Sequence, residues 1–551
     1  MPRTMTNRAI LLLLSTTLLL LAACGGKDAQ DTPQLSAERL ERRIIALSSD
    51  EFLGRKPFTE GEKRTLTYLQ EQFAEAGLEP ANGTSYLQEV PMVEITTTAE
   101  STMRLRTGSK SLELKGYDEY VVWSRIPTGT ALENAELVFA GYGIVAPEYN
   151  WNDYEGLDVK DKVVLVMVND PGFGSDDSTF FKGSTMTYYG RWTYKFEEAA
   201  RQGAKGCLVI HEDAAASYPF GVLQNSWNTA KLYLESGQAV CPVEGWISFP
   251  ATRKLFDAAG MNLTEELASA KKPGYKGRPL GIRATIALPA VSQKNNSYNV
   301  IGKITGTTRP DEVIIYTAHW DHLGVGMPDA SGDSIYNGAL DNASGTAGIL
   351  EIAEAFKTLN PKPERTVAFL AVTAEEEGLL GSAHYVRYPI FPPENTVASI
   401  NIDVLSSFGR MKNVVIVGYG QSDLDDYVKE ICKETGRYVS PDPHPEAGFY
   451  FRSDHFNFAK AGIPALYVDP GNDHITGGIE YGEKMAADYT ANRYHQPADE
   501  YDPAMWHLDG ALEDLYLLFE VGRRLAFESS WPQWKEGSEF KAIREASRKK
   551  E

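Results

Sequence analysis

Strands and helices alternate along the second half of the chain, and this pattern limits the possible fold more than any other feature. Apolar strand-like runs at 313–318 and 366–373 flank a helical pattern at 343–357. A further strand-like run ends near Asp403, and another covers 465–468. This order predicts an α/β fold, with a mostly parallel mixed sheet and helices on both faces.

Six side chains that can bind metal ions or accept protons follow these predicted strands or lie in loops. They are, in chain order, His319, Asp341, Glu375, Glu376, Asp403 and His495. In sheets of this kind functional groups collect beyond the carboxyl ends of the strands. Their separations in sequence are too long for one helix or hairpin, so only the tertiary fold can bring them together. Two imidazoles, three carboxylate ligands and one spare carboxylate are what a pair of divalent ions and a general base require.

Six sequence blocks give the chain a resemblance to a known family. They are HWDHLG, NGALDNASGTAGILE, TAEEEGLLGSAHY, NIDVLS, FRSDHFNFAKAGIPAL and YHQPADEYD. In this order they resemble the zinc aminopeptidases of metallopeptidase family M28, over 291–530, with 35–116 as the start of the same domain. The resemblance implies a zinc-exopeptidase (phosphorylase/hydrolase-like) fold. It also implies hydrolysis of peptide bonds, with an aminopeptidase as the leading expectation.

The family's five metal ligands can be carried onto single positions of this sequence. Asp341 would bridge the two ions, because a carboxylate can reach two cations about 3.5 to 4 Å apart and an imidazole cannot bridge in that way. The resemblance assigns His319 and Asp403 to one ion, and Glu376 and His495 to the other. Zn²⁺ is the favoured metal for this set, although Co or Mn could substitute.

The resemblance also implies roles for groups that are not ligands. Glu375 becomes the general base, since it adjoins a ligand without being one. Asp321 is expected to accept the other ring proton of a ligand histidine, with a solvated loop carboxylate as the alternative. Tyr450 is a candidate donor to the oxyanion, weighed against an ordinary aromatic core position.

For three further side chains near these blocks, a role at the active site competes with a purely local structural role. Arg452 is expected to pair with Asp454, and binding of a substrate carboxylate is the alternative. His322 either lines the pocket or bonds locally. Asp499 is either the hydrogen-bond partner of the last ligand or a loop cap.

A second resemblance covers the middle of the chain. GYGIVAPEYNWNDYEGLDVKDKVVLVMVNDPG, followed by KFEEAARQGAKGCLVIHE, resembles the protease-associated domain. We therefore expect a β-rich α+β insert over 117–290, bordering the active-site entrance without a catalytic role. Substrate selection, restriction to short peptides and dimerisation all stay open for it. Residues 531–551 are expected to form a C-terminal tail.

The amino terminus resembles a bacterial lipoprotein signal. Arg3 and Arg8 precede an apolar run that ends in LAAC, with Cys24 as its last residue. This predicts a signal peptide at 1–23, a lipid on Cys24 and a polar tether at 24–34, with an ordinary signal peptide as the alternative. Glycine after the cysteine favours the outer membrane of a Gram-negative cell, with the protein facing the periplasm or the cell surface.

The charge of the chain argues against nucleic acid as a partner, since 54 Lys and Arg stand against 75 Asp and Glu. Peptide substrates and a membrane reached through the lipid anchor are the expected partners, and the oligomeric state is open. Three alternatives compete with an aminopeptidase: a carboxypeptidase or dipeptidase of the same fold, a glutaminyl cyclase-like transferase, and a receptor-like binding protein without catalysis. The complete ligand set argues against the last two.

Overall fold

The computed structural model describes residues 35–235, 237 and 239–549. The predicted signal peptide, Cys24 and the tether at 24–34 lie outside these residues. Within the described part of the chain, no helix has both the length and the apolar character that a membrane span needs.

The helices are numbered here in chain order. They are α1 (Ala37–Leu47), α2 (Glu60–Glu75), α3 (Trp192–Arg201), α4 (Asp213–Ala216), α5 (Phe220–Gln224), α6 (Phe249–Ala258), α7 (Leu263–Ala270), α8 (Gly345–Thr358), α9 (Leu380–Arg387), α10 (Leu424–Thr435), α11 (His455–Lys460), α12 (Gly478–Asn492), α13 (Leu508–Phe527) and α14 (Lys541–Arg548).

The strands are numbered in the same way. They are β1 (Glu79–Pro80), β2 (Leu87–Thr97), β3 (Thr102–Thr107), β4 (Lys110–Lys115), β5 (Tyr120–Ser124), β6 (Thr130–Phe139), β7 (Val145–Ala146), β8 (Trp151–Asn152), β9 (Val163–Met167), β10 (Gly206–His211), β11 (Ala230–Leu234), β12 (Val243–Ser248), β13 (Arg278–Leu288), β14 (Ala290–Ile304), β15 (Arg309–His319), β16 (Gly324–Val325), β17 (Ile335–Tyr336), β18 (Arg365–Val372), β19 (Thr396–Asn401), β20 (Asn413–Ile416), β21 (Tyr438–Pro441) and β22 (Ala465–Pro470).

The larger sheet has the strand order β11-β2-β14-β18-β15-β19-β22-β20-β21, and β1 pairs with β14. Its centre, from β18 through β15 and β19 to β22, is parallel. Strands β14 and β20 join this centre in the antiparallel direction. The predicted fold class, a mixed α/β sheet with a parallel centre, is confirmed. We call this sheet and its helices the larger-sheet lobe.

Helices cover both faces of the larger sheet, as strand β15 shows. Ile314 and Tyr316 pack in one apolar core with residues of α8 and α13, whereas Val313 and Ile315 pack on the other face near α9 and α11. Successive side chains of a strand point to opposite faces, so both faces of β15 are buried. This explains why the central strands read as continuous apolar runs instead of alternating patterns.

The smaller sheet has the strand order β4-β3-β13-β6-β9-β10-β12-β5. Strands β6, β9, β10 and β12 are parallel neighbours. Two apolar cores of its own lie on its faces, one of them including α6 and α7 and the other including α3. We call this sheet and helices α3 to α7 the smaller-sheet lobe.

The two sheets do not divide the chain at the boundaries that the sequence suggested. Strands β3 and β4 already belong to the smaller sheet, since β3 pairs with β13, so this sheet begins before residue 117. Strand β11 lies within the predicted insert but pairs with β2 at the edge of the larger sheet. The predicted tail packs on the larger-sheet lobe, where Arg544 donates hydrogen bonds to the carbonyls of Pro393 and Thr396. These are long-range pairings, which local patterns do not report.

Candidate metal centre

Three neighbouring parallel strands deliver four of the predicted site residues to one edge of the larger sheet. His319 is the last residue of β15, Glu375 and Glu376 follow β18, and Asp403 follows β19. Because β18, β15 and β19 run in the same direction side by side, their carboxyl ends meet. The remaining two residues come from elsewhere: Asp341 from the irregular helical turn Ala339–Ser344 before α8, and His495 from the segment after α12.

Asp341 lies between the two histidines. One carboxylate oxygen, Oδ1, is 3.1 Å from His319 Nε2, and the other, Oδ2, is 3.3 Å from His495 Nε2. Its main-chain N–H donates to Oδ2 of Asp499 at 3.1 Å, and the N–H of Leu340 donates to Oδ1 of the same carboxylate at 3.1 Å. Asp499 therefore orders the turn that presents Asp341, and the alternative of a loop cap describes it better than a bond to His495.

One half of the centre is formed by His319, Asp341 and Asp403. His319 Nε2 is 3.2 Å from Asp403 Oδ1, and ligand atoms of the three residues lie within 4.8 Å of one another. The hydroxyl of Ser453 donates to the second oxygen of Asp403 at 2.5 Å. This bond fixes the carboxylate and leaves Oδ1 directed at the shared space.

The other half is formed by Asp341, Glu376 and His495, with His322 beside them. Glu376 Oε2 is 3.1 Å from His495 Nε2, and Oε1 is 2.6 Å from His322 Nδ1. His322, Asp341 and Glu376 also place ligand atoms within 4.8 Å of one another. His322 is buried, whereas about a third of the His495 side chain is exposed. His322 thus belongs to the centre, in contact with Glu376.

Glu375 lies next to the ligand positions without joining either half. A carboxylate oxygen of Glu375 falls within 4.8 Å of ligand atoms of His319 and Glu376. Burial raises the pKa of the Glu375 carboxyl well above its ordinary value, and the charges of Asp403 and Glu376 act in the same direction. A carboxylate with a raised pKa suits a group that takes up and releases a proton.

Asp321 has a different contact from the one expected. His319 Nδ1 is 3.2 Å from the main-chain carbonyl of Asp321, while the carboxylate oxygen is 3.9 Å away. The Asp321 carboxylate instead accepts hydrogen bonds from the main-chain N–H groups of Glu375, at 3.0 Å, and Glu376, at 3.4 Å. Burial raises the pKa of Asp321 to about 8. Asp321 therefore positions the Glu375–Glu376 pair, and its backbone orients the histidine.

Tyr450 does not lie in the centre. Its ring packs 4.7 Å from His455 and 6.3 Å from Phe540 in an apolar core, and its hydroxyl is buried without a hydrogen-bond partner. Burial raises the pKa of this hydroxyl, followed by the charges of Glu539 and Asp425, not those of the predicted ligands. The oxyanion role is thus unsupported, and the alternative of a core aromatic fits.

The expected pair between Arg452 and Asp454 is also absent from the described contacts. Arg452 donates to the carbonyl of Ala447 at 2.7 Å, and Asp454 accepts a hydrogen bond from Ser382. A tyrosine that sequence reasoning missed is Tyr494, whose ring stacks on His495 with centroids 3.9 Å apart. Its position next to a predicted ligand was the available signal.

Comparisons with known proteins agree with this geometry. Residues 299–519 match the model of peptidase family M28. This region belongs to that family. The predicted resemblance is therefore confirmed for the part of the chain that contains all six predicted site residues.

Three curated relatives match part of this chain. Aminopeptidase NAALADL1 of Rattus norvegicus is 34% identical over 263 residues, covering 43% of this chain and 32% of the relative. Aminopeptidase YwaD of Bacillus subtilis (strain 168) is 28% identical over 226 residues, covering 39% and 45%. A protein named "Probable zinc metalloprotease" of Pyrenophora teres f. teres (strain 0-1) is 33% identical over 112 residues, covering 20% and 23%. The chain spans less than half the length of each.

A solved structure titled "Aminopeptidase from Aneurinibacillus sp. strain AM-1" aligns over 92% of this chain and 97% of its own. The sequence identity is 19% and the TM-score is 0.48. At this level the similarity supports no conclusion about function.

The charge balance of the metal centre formed by these residues favours the binding of divalent cations. The carboxylates in and directly behind it are Asp321, Asp341, Glu375, Glu376, Asp403, Asp454 and Asp499. Burial would lower the pKa of His495, yet its bonds to Asp341 and Glu376 raise it to about 10. Burial likewise opposes the raised pKa of His319, to which Asp403 and Glu375 contribute. The raised pKa of each histidine therefore indicates an excess of negative charge around it.

The chain's own permanent cation at this place, Arg55, does not neutralise that excess by direct pairing. Arg55 is 1% exposed and donates hydrogen bonds to main-chain carbonyls. The accepting residues are Trp320, Leu47, Asn337 and Gly338. The two imidazole nitrogens and three carboxylates around one space form a donor set that suits Zn²⁺ and similar ions. The M28 centre therefore fits a pair of divalent ions.

Proposed function

We propose that the chain is a two-metal exopeptidase that hydrolyses peptide bonds, and that it acts as an aminopeptidase. The observation that carries the proposal is Asp341, which faces a histidine with each of its carboxylate oxygens and so has the geometry of a shared ligand. The names of the curated relatives, aminopeptidase and zinc metalloprotease, support the reaction and the metal.

Five side chains would hold the ions. Asp341 would contact both, His319 and Asp403 one of them, and Glu376 and His495 the other. When bound, divalent ions polarise the peptide carbonyl and lower the pKa of a water molecule towards neutrality. The metal proposed here is Zn²⁺, which favours imidazole and carboxylate ligands.

Glu375 is the group proposed to move the proton. Its carboxylate takes the proton of the attacking water and delivers it to the nitrogen of the leaving amine. Its raised pKa favours uptake of the proton that the second transfer then passes on. Asp321 holds the backbone of Glu375 through the 3.0 Å hydrogen bond, which keeps the carboxylate near the ligands without making it one.

The neighbouring residues orient the ligands before substrate arrives. If His319 donates its Nδ1–H to the carbonyl of Asp321, the lone pair of Nε2 points towards Asp341 and Asp403. Ser453 fixes Asp403, and Asp499 fixes the turn around Asp341. Such support reduces the reorganisation needed during the reaction.

The substitution Glu375→Gln tests the proposal. It removes the base and no ligand, so both ions should stay bound while kcat on a leucyl peptide falls by about 10²- to 10⁴-fold. Glu377→Gln is the matched control, because Glu377 lies two residues after Glu375 on the same loop and pairs with Lys56 instead, at 3.8 Å. Turnover like that of the wild type in metal-loaded Glu375→Gln would refute the assignment.

The end of the peptide that is cut decides between an aminopeptidase and a carboxypeptidase. Digestion of a defined peptide, read by mass, should show residues lost from the amino end, and loss only from the carboxyl end would contradict the aminopeptidase. N-terminal acetylation should protect the peptide, whereas C-terminal amidation should still permit cleavage.

We further propose that the enzyme is tied to the cell envelope through a lipid on Cys24. The support is the LAAC sequence at the end of the apolar amino-terminal run. Cys24→Ser should abolish lipidation and release any protein produced into the soluble fraction. Wild-type protein found wholly in the soluble fraction would contradict the anchor.

A further inference from the structure

Two arginines lie where the two lobes meet, and neither has an acidic partner. Arg191 precedes α3 in the smaller-sheet lobe, and Arg452 follows the turn Phe449–Phe451 in the larger-sheet lobe. Across the described residues, no carboxylate forms an ion pair with either guanidinium. Most partly buried arginines in proteins are paired, so this arrangement calls for an anion.

The surroundings of each guanidinium are aromatic and leave hydrogen-bonding groups free. The Arg452 guanidinium carbon lies 4.9 Å from the ring centre of Phe449, and that of Arg191 lies 5.8 Å from Trp192. The Nε atoms of both arginines are buried and have no hydrogen-bond partner among the described residues. An unpaired buried donor costs free energy, which a bound acceptor would recover.

Contacts between the lobes bring together the segments that carry the two arginines: the Arg191 N–H donates to the carbonyl of Tyr188 at 3.1 Å, and the ring of Tyr188 lies 6.3 Å from that of Phe451, the neighbour of Arg452. The main-chain N–H of Met186 donates to the carbonyl of Pro445 at 3.1 Å, and the rings of Tyr188 and Phe456 are 5.1 Å apart. Burial lowers the pKa of Arg191 to about 10, and the positive charge of Arg452 acts in the same direction. Two like charges are thus kept close without a counter-charge from the described chain.

Arg452 is connected to the metal centre through the next residue in the chain. Arg452 directly precedes Ser453, whose hydroxyl holds Asp403. On the other side lies Tyr494, which stacks on His495, is 44% exposed and acts electrostatically on Arg452. Burial raises the pKa of the Tyr218 hydroxyl in the smaller-sheet lobe, and the positive charges of Arg191 and Arg452 both oppose this shift. A substrate bound at the centre that extends past Tyr494 would therefore approach the Arg452 side of the contact between the lobes.

We propose that Arg191 and Arg452 form a subsite that binds a carboxylate of the substrate, one arginine coming from each lobe. This inference rests on the proposed function and adds a preference to it. The planar guanidinium donates paired hydrogen bonds that match a carboxylate, which lysine does not reproduce. The carboxylate is either the C-terminus of a short peptide or an acidic side chain next to the cleaved bond.

Four leucyl peptides separate these sources: leucyl-glycine and its amide, and the amides of leucyl-glutamate and leucyl-glutamine. The metal-loaded wild type should prefer a carboxylate-bearing member of at least one pair by about 10- to 100-fold in kcat/KM, through KM, as expected for a charge-assisted contact. Arg191→Met and Arg452→Met should each remove this preference while hydrolysis of the neutral peptides persists. Arg→Lys at either position should restore only part of it.

Arg253→Met is the matched control, because Arg253 lies exposed on α6 of the same lobe as Arg191 and its guanidinium packs over Phe249. It should keep the wild-type preference. A preference confined to the leucyl-glycine pair identifies the C-terminus, and one confined to the glutamate pair identifies the side chain. Equal hydrolysis within both pairs by the wild type, or a preference that survives both Arg→Met substitutions, would overturn the subsite.

Binding measured without turnover separates this inference from the proposed function. Titration calorimetry with metal-loaded Glu375→Gln should show tighter binding of the carboxylate peptide than of its amide, and adding Arg452→Met should abolish the difference. If the wild type cleaves none of the four peptides, the proposed function fails. The calorimetric difference then still decides the subsite, and equal binding of the two peptides would refute it.

Discussion

Two clusters of buried charge, one in each lobe, differ in whether the chain satisfies them itself. In the smaller-sheet lobe, Lys195 lies near Asp153 and Asp170, and its ammonium donates to the carbonyl of Asn169 at 2.9 Å. Asp170 accepts hydrogen bonds from the N–H and hydroxyl of Thr187, at 2.8 and 2.7 Å. Burial raises the pKa of both carboxyls and lowers that of the lysine, and the opposite charges counter each shift.

The metal centre contains far more carboxylates than permanent cations. Arg55, the guanidinium beside it, is bonded to main-chain carbonyls, and the two carboxylate oxygens of Asp341 lie 3.1 and 3.3 Å from histidine nitrogens. Burying uncompensated charge is costly, so such a cluster is stable only with cations from solution. A cluster whose charges are countered within the chain is thus part of the fold, whereas an unbalanced cluster indicates a binding site.

The largest effect should come from the shared ligand. Asp341→Ala removes the one carboxylate that faces both histidines, so both ions should be lost together and peptide hydrolysis should fall to background. His319→Ala and His495→Ala should lose less metal. Metal content after dialysis, read by elemental mass spectrometry, checks this. The control variant Asp170→Asn, changed in the smaller-sheet lobe, should retain both ions of the metal centre. Retention of two ions by Asp341→Ala would contradict the comparison.

An intermediate effect is expected for the Lys195 cluster. Lys195→Met removes the cation that acts on Asp153 and Asp170, together with the bond to the Asn169 carbonyl, which should lower the free energy of unfolding by about 1 to 3 kcal/mol. Metal content should not change. Urea denaturation of the metal-loaded protein measures the loss, and Lys160→Met, an exposed lysine of the same lobe, should stay within about 0.5 kcal/mol of the wild type. An unchanged midpoint for Lys195→Met would show that the cluster does not depend on its lysine.

The smallest effect should come from Tyr450→Phe. The hydroxyl is buried without a partner in an apolar core, so its removal should change the unfolding free energy by less than about 1 kcal/mol and leave kcat nearly unaltered. Steady-state kinetics on a leucyl peptide checks this. Loss of an oxyanion donor typically lowers kcat by about 10²- to 10³-fold, and such a loss here would place Tyr450 in the reaction after all.

The sequence was most informative where local pattern and chemistry coincide. Alternating elements indicated the parallel centre of the larger sheet, and His319, Glu375, Glu376 and Asp403 could be placed at its edge because each follows a strand. Their detailed assignment came from the resemblance, and the structure brings the same side chains together.

The rest depends on contacts between distant segments. Strand β11 joins the larger sheet, although its neighbours in sequence belong to the smaller one. Asp321 was expected to bond a histidine through its carboxylate, but the backbone after β18 offers two N–H groups that lie closer. The proximity of Arg191 and Arg452 arises only when the lobes pack, so no pattern in the sequence signals it.

Counting the ions bound to the folded wild-type chain tests the central claim most directly. Native mass spectrometry of dialysed protein, with the metal identified by elemental analysis, should find two divalent ions per chain. A chelator should remove them together with the peptidase activity, and added Zn²⁺ should restore both. One ion per chain, or none in a chain that still cleaves peptides, would contradict a shared two-metal centre at Asp341.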